Sequence, residues 1–285
     1  MPSRTPTGHA VLAAYLTAAL VPLLGMGPST LRATLALGHV LAVVVLLRPG
    51  PGDAGPLVER VHRWLPLILI PLLYAELPLL NQWVSPEVRD PLVLRWEAWA
   101  FPGNPALTLG GRWPWPVLSE LLHLSYLSFY FMLIVPVLSL EFRGDQRAFD
   151  ETMAALLLSV VLAFVCFWLL PVEGPRYRFP PPAGIPDGPV RALVLAILEG
   201  GSSRGTAFPS SHASVAVAQT LLALRHQPRL GAVLAVATVG LCFGAVYGGF
   251  HYAVDMLAGV ILGILAAGVV MACSPRGVAG GGSPF

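Results

Sequence analysis

Long apolar runs separated by short polar breaks set the pattern of this chain. Runs near residues 9–25, 31–47, 64–80, 117–140, 151–170, 208–225, 230–248 and 252–272 each approach the roughly 17–25 residues that cross a hydrocarbon layer about 30 Å thick. They predict an all-α, polytopic transmembrane bundle of about six core helices with one or two more at the N-terminus. The third run contains Pro66, Pro71 and Pro78, which predicts a kinked, re-entrant or interfacial segment in place of a clean span. Arg4 ahead of the first run resembles the start of a signal peptide. No clear small-residue cleavage site precedes the second run, so a retained helix is expected.

Two long breaks differ in character. Residues 81–116 hold Trp83, Trp96, Trp99, Trp113 and Trp115, and LVLRWEAWA within them reads as a short amphipathic helix for the headgroup layer. Lipid anchoring is the expected role of these tryptophans, with direct substrate contact as the alternative. The other break, PVEGPRYRFPPPAGIPDGP, is too rich in proline and glycine for a long regular helix and ends in a helical patch at RALVLAILEG. The expected organisation is N-terminal transmembrane helices with a Trp-rich interfacial loop over 1–116, a helical bundle carrying the chemistry over 117–273, and a short flexible tail over 274–285.

Composition agrees with the pattern. A chain 55% hydrophobic and only 11% charged, with a mean hydropathy of +0.72, is excluded from the ordinary soluble globular class. All 17 basic residues are arginine. The net charge of +2 says little about partners beyond the bilayer, no nucleic acid is expected among them, and oligomeric state is left open. Cys166, Cys242 and Cys273 lie in apolar runs at spacings that suit neither zinc nor a redox pair, so core packing is expected of them. If all eight runs span, nine arginines fall on one side, mostly in short loops, and eight on the other, mostly in the two long breaks. The positive-inside rule then places both termini in the cytoplasm and the break before residue 208 on the extracytoplasmic side, in a bacterial inner membrane.

Three stretches carry candidate chemistry. In FPSSHASVAVAQTLLAL, Pro209 suits a first helical turn, and Ser210 and Ser211 can satisfy free backbone groups. The bland role is an N-cap followed by a histidine. The functional role is a phosphate cradle at a helix N-terminus, within reach of Arg204. In YGGFHYAVDMLAG, His251 and Asp255 are four residues apart and share a helix face. The carboxylate can orient the ring and leave its other nitrogen free to attack an electrophile. A self-satisfied buried pair is one alternative and half of a metal site is another. For a metal, no third and fourth ligand stands at a sensible spacing, with His123 and Glu120 the remaining candidates. In GPRYRF, Arg176 and Arg178 offer guanidinium forks for phosphate oxygens or a positive collar near headgroups. Spacing does not decide which of the two enters a site. Together these residues specify phosphoryl chemistry: arginines and a helix N-terminus hold the group, His251 attacks phosphorus, Asp255 orients His251, and His212 protonates the departing oxygen.

The order of an arginine segment, Pro-Ser-Ser-His, and then His with Asp four residues on resembles the phosphatidic acid phosphatase type 2 superfamily, over about Phe149 to Cys273. The resemblance implies a metal-independent, cofactor-free helical bundle with its site at one membrane face. Arg176 corresponds to the first motif, Ser210 and His212 to the second, and His251 and Asp255 to the third. The departures are specific. Leu169 stands where many family phosphatases have lysine, Tyr177 where proline follows the arginine, Ser211 where glycine is usual, and Ala245 where a further arginine is usual. These departures resemble the inositol phosphorylceramide synthase branch, for which FPSSHAS and HYAVDMLAG read closely.

The expected activity is a membrane phosphoesterase acting on a lipid phosphate, with transfer of a phosphorylated headgroup to an alcohol as the alternative. A transporter or non-catalytic binding protein on the same bundle is the distant one. A magnesium-dependent alcohol phosphotransferase requires an aspartate-rich motif that six scattered aspartates do not supply. Glu76, Glu120 and His123 are candidates for contact with a headgroup or acceptor, against helix-to-helix hydrogen bonding as the bland role. His39 is expected to be a satisfied core histidine. Gly259 and Gly263 are expected to let the last helix pack closely.

Overall fold

The computed structural model describes residues 7–48 and 55–274. Arg4, Arg276 and the tail expected after 274 lie outside the described residues. All eight apolar runs are helical: α1 (Thr7–Gly25), α2 (Thr30–Leu47), α3 (Pro56–Val84), a run broken by a 44° bend, then α8 (Gln146–Leu169), α11 (Ser211–His226), α12 (Pro228–Tyr247) and α13 (Ala253–Cys273). The bent run is α6 (Pro116–Leu127) followed by α7 (Phe129–Phe142). Among the described residues six helices are long and apolar enough to cross a membrane, or seven when the bent pair counts as one span. The sixteen-residue α11 lies within the bundle against α8, α12 and α13. The long breaks supply α4 (Asp90–Ala100), α5 (Pro105–Arg112), the single turn α9 (Pro175–Arg178) and α10 (Pro189–Gly201).

The three prolines of α3 do not break it. The helix is continuous for 29 residues and long and apolar enough to cross a membrane, in place of the re-entrant or interfacial segment its prolines allowed. Each proline removes an N–H and strips the carbonyl four residues earlier of its partner. Two of those carbonyls are taken by other elements. The His62 carbonyl, freed by Pro66, accepts from His9 Nε2 at 3.0 Å, and the Tyr74 carbonyl, freed by Pro78, accepts from Ser203 Oγ at 3.3 Å. Neighbouring elements thereby keep a proline-rich span helical.

The helices alternate in direction, so their ends form two faces. At one face Arg63 pairs with Glu141 at 2.9 Å, and Glu151 receives Arg147, Arg225 and His226. At the other lie α4, α5, α9, α10 and the turns before α11 and α13. The hydrophobic core crosses the chain order: Leu12, Leu16 and Ala19 of α1 share one cluster with Phe149, Leu156 and Phe164 of α8. Helix α4 is amphipathic as its pattern predicts. Trp99 is 89% exposed, while Asp90, Val93 and Glu97, on the opposite stripe, are buried.

Helices α11 and α13 approach most closely through glycine. A Cβ at Gly259 would strike the Ser210 carbonyl oxygen, and one at Gly263 would strike that of Ser214. With backbone as the obstacle, a side chain can enter only by separating the helices. Gly263→Val is therefore expected to cost about 1–3 kcal/mol, read as a lowered thermal unfolding midpoint in detergent; an unchanged midpoint would refute this contact.

Candidate active site

The turn that ends α12 and the start of α13 place His251 at the centre of one face. Its Nδ1 lies 3.0 Å from the Ala207 carbonyl and 3.4 Å from Asp255 Oδ2. A carbonyl only accepts, so in the neutral ring Nδ1 carries the proton and Nε2 keeps its lone pair. Nε2 faces Ser210 Oγ at 3.4 Å. Asp255 is the more distant of the two acceptors for Nδ1, and its Oδ2 also accepts from the Tyr252 N–H at 2.8 Å. The carboxylate thus holds both the ring and the turn that carries it.

Ser210 caps α11, accepting from the Ala213 N–H at 3.3 Å, while its own N–H donates to the Asp255 carbonyl at 2.9 Å. The second-motif helix is in this way fastened to the first turn of α13. In the first turn of α11, His212 is clasped between Tyr126 and Phe129, with ring centroids 5.1 and 4.4 Å away. Its Nε2 lies 3.4 Å from the Tyr126 hydroxyl, its Nδ1 is buried with no hydrogen-bond partner, and its ring is edge-on to that of His251 at 5.8 Å. Two imidazoles therefore converge from different helices.

Both border a cavity of ≈ 50 Å³. A water needs about 10–15 Å³ of such space, so the cavity accommodates a few waters or one group of phosphate size. Arg176 and Ser211 also line it, with Tyr74 and Glu173 across from them. Arg176 donates to Ser202 Oγ at 3.1 Å. Arg178 and Arg204 do not line the cavity: they sit 3.8 and 3.4 Å from opposite oxygens of Glu173, and Arg204 stacks on Tyr177. Of the two arginines that spacing left undistinguished, Arg176 borders this cavity and Arg178 does not. The two positions where the family usually has further cations are apolar. Leu169 is exposed on the outer surface, and Ala245 is fully buried, its carbonyl accepting from the Phe250 and His251 N–H groups. A larger cleft of ≈ 620 Å³ at the opposite face, between α8 and α13, contains none of the motif residues.

The three further headgroup candidates lie outside the cavity. Glu76 is buried and accepts from His39 Nε2 at 3.0 Å, a helix-to-helix bond that also satisfies His39. Glu120 takes the Val190 and Arg191 N–H groups at 2.8 and 3.1 Å, which caps α10. His123 is fully buried, with its Nδ1 on the Ser119 carbonyl at 2.7 Å and its ring against Tyr247 and Phe250. Each bonds to protein groups, Glu76 Oε1 and His123 Nε2 remain buried without a hydrogen-bond partner, and none of the three lines the cavity. Among the described residues no group of three His, Cys, Asp or Glu side chains could hold a metal ion.

Sequence reasoning missed Tyr126, Glu173 and two acids of α4. Asp90 takes the Glu173 and Gly174 N–H groups at 2.9 and 3.0 Å and the Tyr252 hydroxyl at 3.3 Å. Glu97 takes the Ala253 and Val254 N–H groups at 3.0 and 2.9 Å. Burial raises the Glu97 pKa above the ordinary carboxylate value, against the lowering effect of the two N–H donors. The only signal in the sequence was the spacing of seven, which puts Asp90 and Glu97 on one face of α4.

A family model of the PAP2 superfamily matches residues 93–269, a span that contains the Arg176, His212 and His251 segments. The chain belongs to the PAP2 superfamily, whose members are generally phosphatases or phosphotransferases. No curated protein and no solved structure matches it.

Ser210 joins cap and site in one side chain. Ser210→Ala is expected to lower stability by about 1 kcal/mol, the usual cost of losing an N-cap hydroxyl, measured by thermal unfolding in detergent. A variant as stable as the parent would show that the cap carries no weight.

Proposed function

We propose that the protein is an integral membrane phosphoesterase that acts on a lipid phosphate through a phosphohistidine. The observation that carries this is the convergence of His251, its Nδ1 held on the Ala207 carbonyl, with His212 and Arg176 around one small cavity. Arg176 and the N-terminus of α11, with Ser210 and Ser211, bind the phosphoryl oxygens. His251 Nε2 attacks phosphorus, and the bond from phosphorus to the leaving oxygen breaks as protonated His212 gives that oxygen its proton. Asp255 and the Ala207 carbonyl hold the Nδ1 proton in place. Water then attacks phosphorus, His212 recovers a proton, and the bond from phosphorus to nitrogen breaks. Arg178 and Arg204, tied to Glu173, contribute a positive rim. The arginine distribution supports a bacterial inner-membrane location with the site on the extracytoplasmic side.

A second reading, transfer of a phosphorylated headgroup to an alcohol, has one observation in its favour. Among the described residues Arg176 is the only arginine bordering the cavity, Glu173 lines it as well and offsets part of the charge of Arg178 and Arg204, and Leu169 and Ala245 supply no charge. A phosphodiester carries one negative charge where a monoester carries up to two, so a single guanidinium suits it better. This agrees with the likeness of FPSSHAS and HYAVDMLAG to the inositol phosphorylceramide synthase branch.

The test is to offer labelled phosphatidate, polyprenyl diphosphate, phosphatidylinositol and sphingolipid precursors to the purified protein in detergent, with and without alcohol acceptors and with a chelator. Free phosphate identifies hydrolysis, a new phospholipid identifies transfer, and loss of turnover with chelator would overturn the metal-free mechanism. His251→Ala is expected to abolish turnover while the protein stays folded, and His212→Ala to lower it by about 10²–10⁴. A fully active His251→Ala would sink the enzyme reading and favour a transporter or binding protein.

A further inference from the structure

The two carboxylates of α4 occupy an unusual place. Both are buried, at 0% and 1% exposure, and among the described residues neither has an arginine or histidine at ion-pair distance. Their partners are backbone N–H groups of two separate segments and one hydroxyl. Asp90 grips Glu173 and Gly174, immediately before Pro175 and Arg176, and through Tyr252 it reaches the residue after His251. Glu97, two helical turns on, grips the first two N–H groups of α13, where Tyr252 separates them from His251.

The segment held by Asp90 is pinned on both sides. The Arg89 N–H donates to the Pro171 carbonyl at 2.7 Å, and the Ala207 N–H donates to the Val172 carbonyl at 2.9 Å. Ala207 in turn supplies the carbonyl that fixes His251 Nδ1. Gly174 has φ +85°, and a Cβ there would meet the Ala207 side chain at 2.8 Å. One face of α4 therefore stands behind the arginine turn, the Ala207 segment bonded to it and the His251 turn. A carboxylate with two oxygens and no cation is satisfied only while both N–H groups stay in place, so displacement of either turn exposes the charge to an apolar interior.

We infer that Asp90 and Glu97 are positioning residues that set Arg176 and His251 in register across the cavity, making α4 a strut of the site as well as an interfacial anchor. The inference rests on His251 being the reacting histidine. Helix α4 touches no reacting atom: it acts through the turns it holds. Glu97→Gln and Asp90→Asn keep shape but replace one acceptor oxygen with an NH₂ that opposes an N–H, so the held turn must shift.

A substrate-free measurement decides the matter. The full chain, labelled with ¹⁵N in its histidines and held in detergent, is expected to give a His251 Nδ1–H resonance slow to exchange with water, assigned by its loss in His251→Ala. Asp90→Asn and Glu97→Gln are expected to shift that resonance and speed its exchange. Asp145→Asn, which alters the cap of α8 at the opposite face, should leave it in place. With any lipid turned over in the panel above, kcat should fall about tenfold or more and KM change by less than about twofold, the pattern of a lost transition-state alignment. Where Asp90→Asn fails to fold, Tyr252→Phe removes only the hydroxyl donated to Asp90 and is expected to shift the resonance less. An unmoved resonance in folded Glu97→Gln and in folded Asp90→Asn or Tyr252→Phe overturns the inference. An active His251→Ala overturns instead the assignment of His251 as nucleophile, so the two failures are distinct.

Discussion

The close contact between α11 and α13 is the constraint from which the site follows. Gly259 and Gly263 lie directly under the Ser210 and Ser214 carbonyls, and the Ser210 N–H bonds the Asp255 carbonyl. The start of α11, which carries His212, is locked against the first two turns of α13, just beyond His251. The distance between the rings of His212 and His251 is thus set by backbone packing, which side-chain motion cannot easily alter. The aromatic clasp of Tyr126 and Phe129 then fixes the orientation of His212.

Support comes from well outside the catalytic helices. Tyr74 and Asn81 of α3 hold the loop before α11: Ser203 N–H donates to the Tyr74 hydroxyl, and Asn81 Nδ2 donates to the Arg204 carbonyl. Glu173 gathers Arg178 and Arg204 at the rim and leaves Arg176 facing the cavity. One arginine borders the cavity, and beyond it a single carboxylate stands between two others, which leaves the rim net positive.

Much of this was legible from the chain. Hydropathy located all eight helical runs, because burial in lipid demands long apolar stretches. The motif histidines and Asp255 stood out as ionisable residues at the ends of apolar runs, although His251 falls in the turn before α13 and not on the helix face it was expected to share with Asp255. What escaped notice depended on contacts between distant segments. Prolines in α3 argued for a break, since the sequence does not show that His9 and Ser203 take the freed carbonyls. LVLRWEAWA was read by its tryptophans, and the inward acids Asp90 and Glu97 went unremarked beside them. Glu173 lay in plain view beside Arg176, yet only the fold turns Arg204 toward it. Glu76 and Glu120 were grouped with the site because they share its face in the topology, and side-chain direction separates them from it.

The length of α3 has a consequence for how a membrane-bound molecule would meet the site. At 29 residues the helix is about 44 Å long at 1.5 Å per residue, against about 30 Å of hydrocarbon. Its surplus must be taken up by tilt or by projection into the headgroup layer. The residues that touch the catalytic loop, Tyr74 to Asn81, belong to its outer three turns, and the tryptophan-bearing α4 begins six residues after its end. On the proposed function the cavity would then stand at the level of lipid headgroups, where a phospholipid presents its phosphorus while its acyl chains stay immersed. Sideways diffusion within the leaflet, with no extraction from it, would be enough to deliver such a substrate.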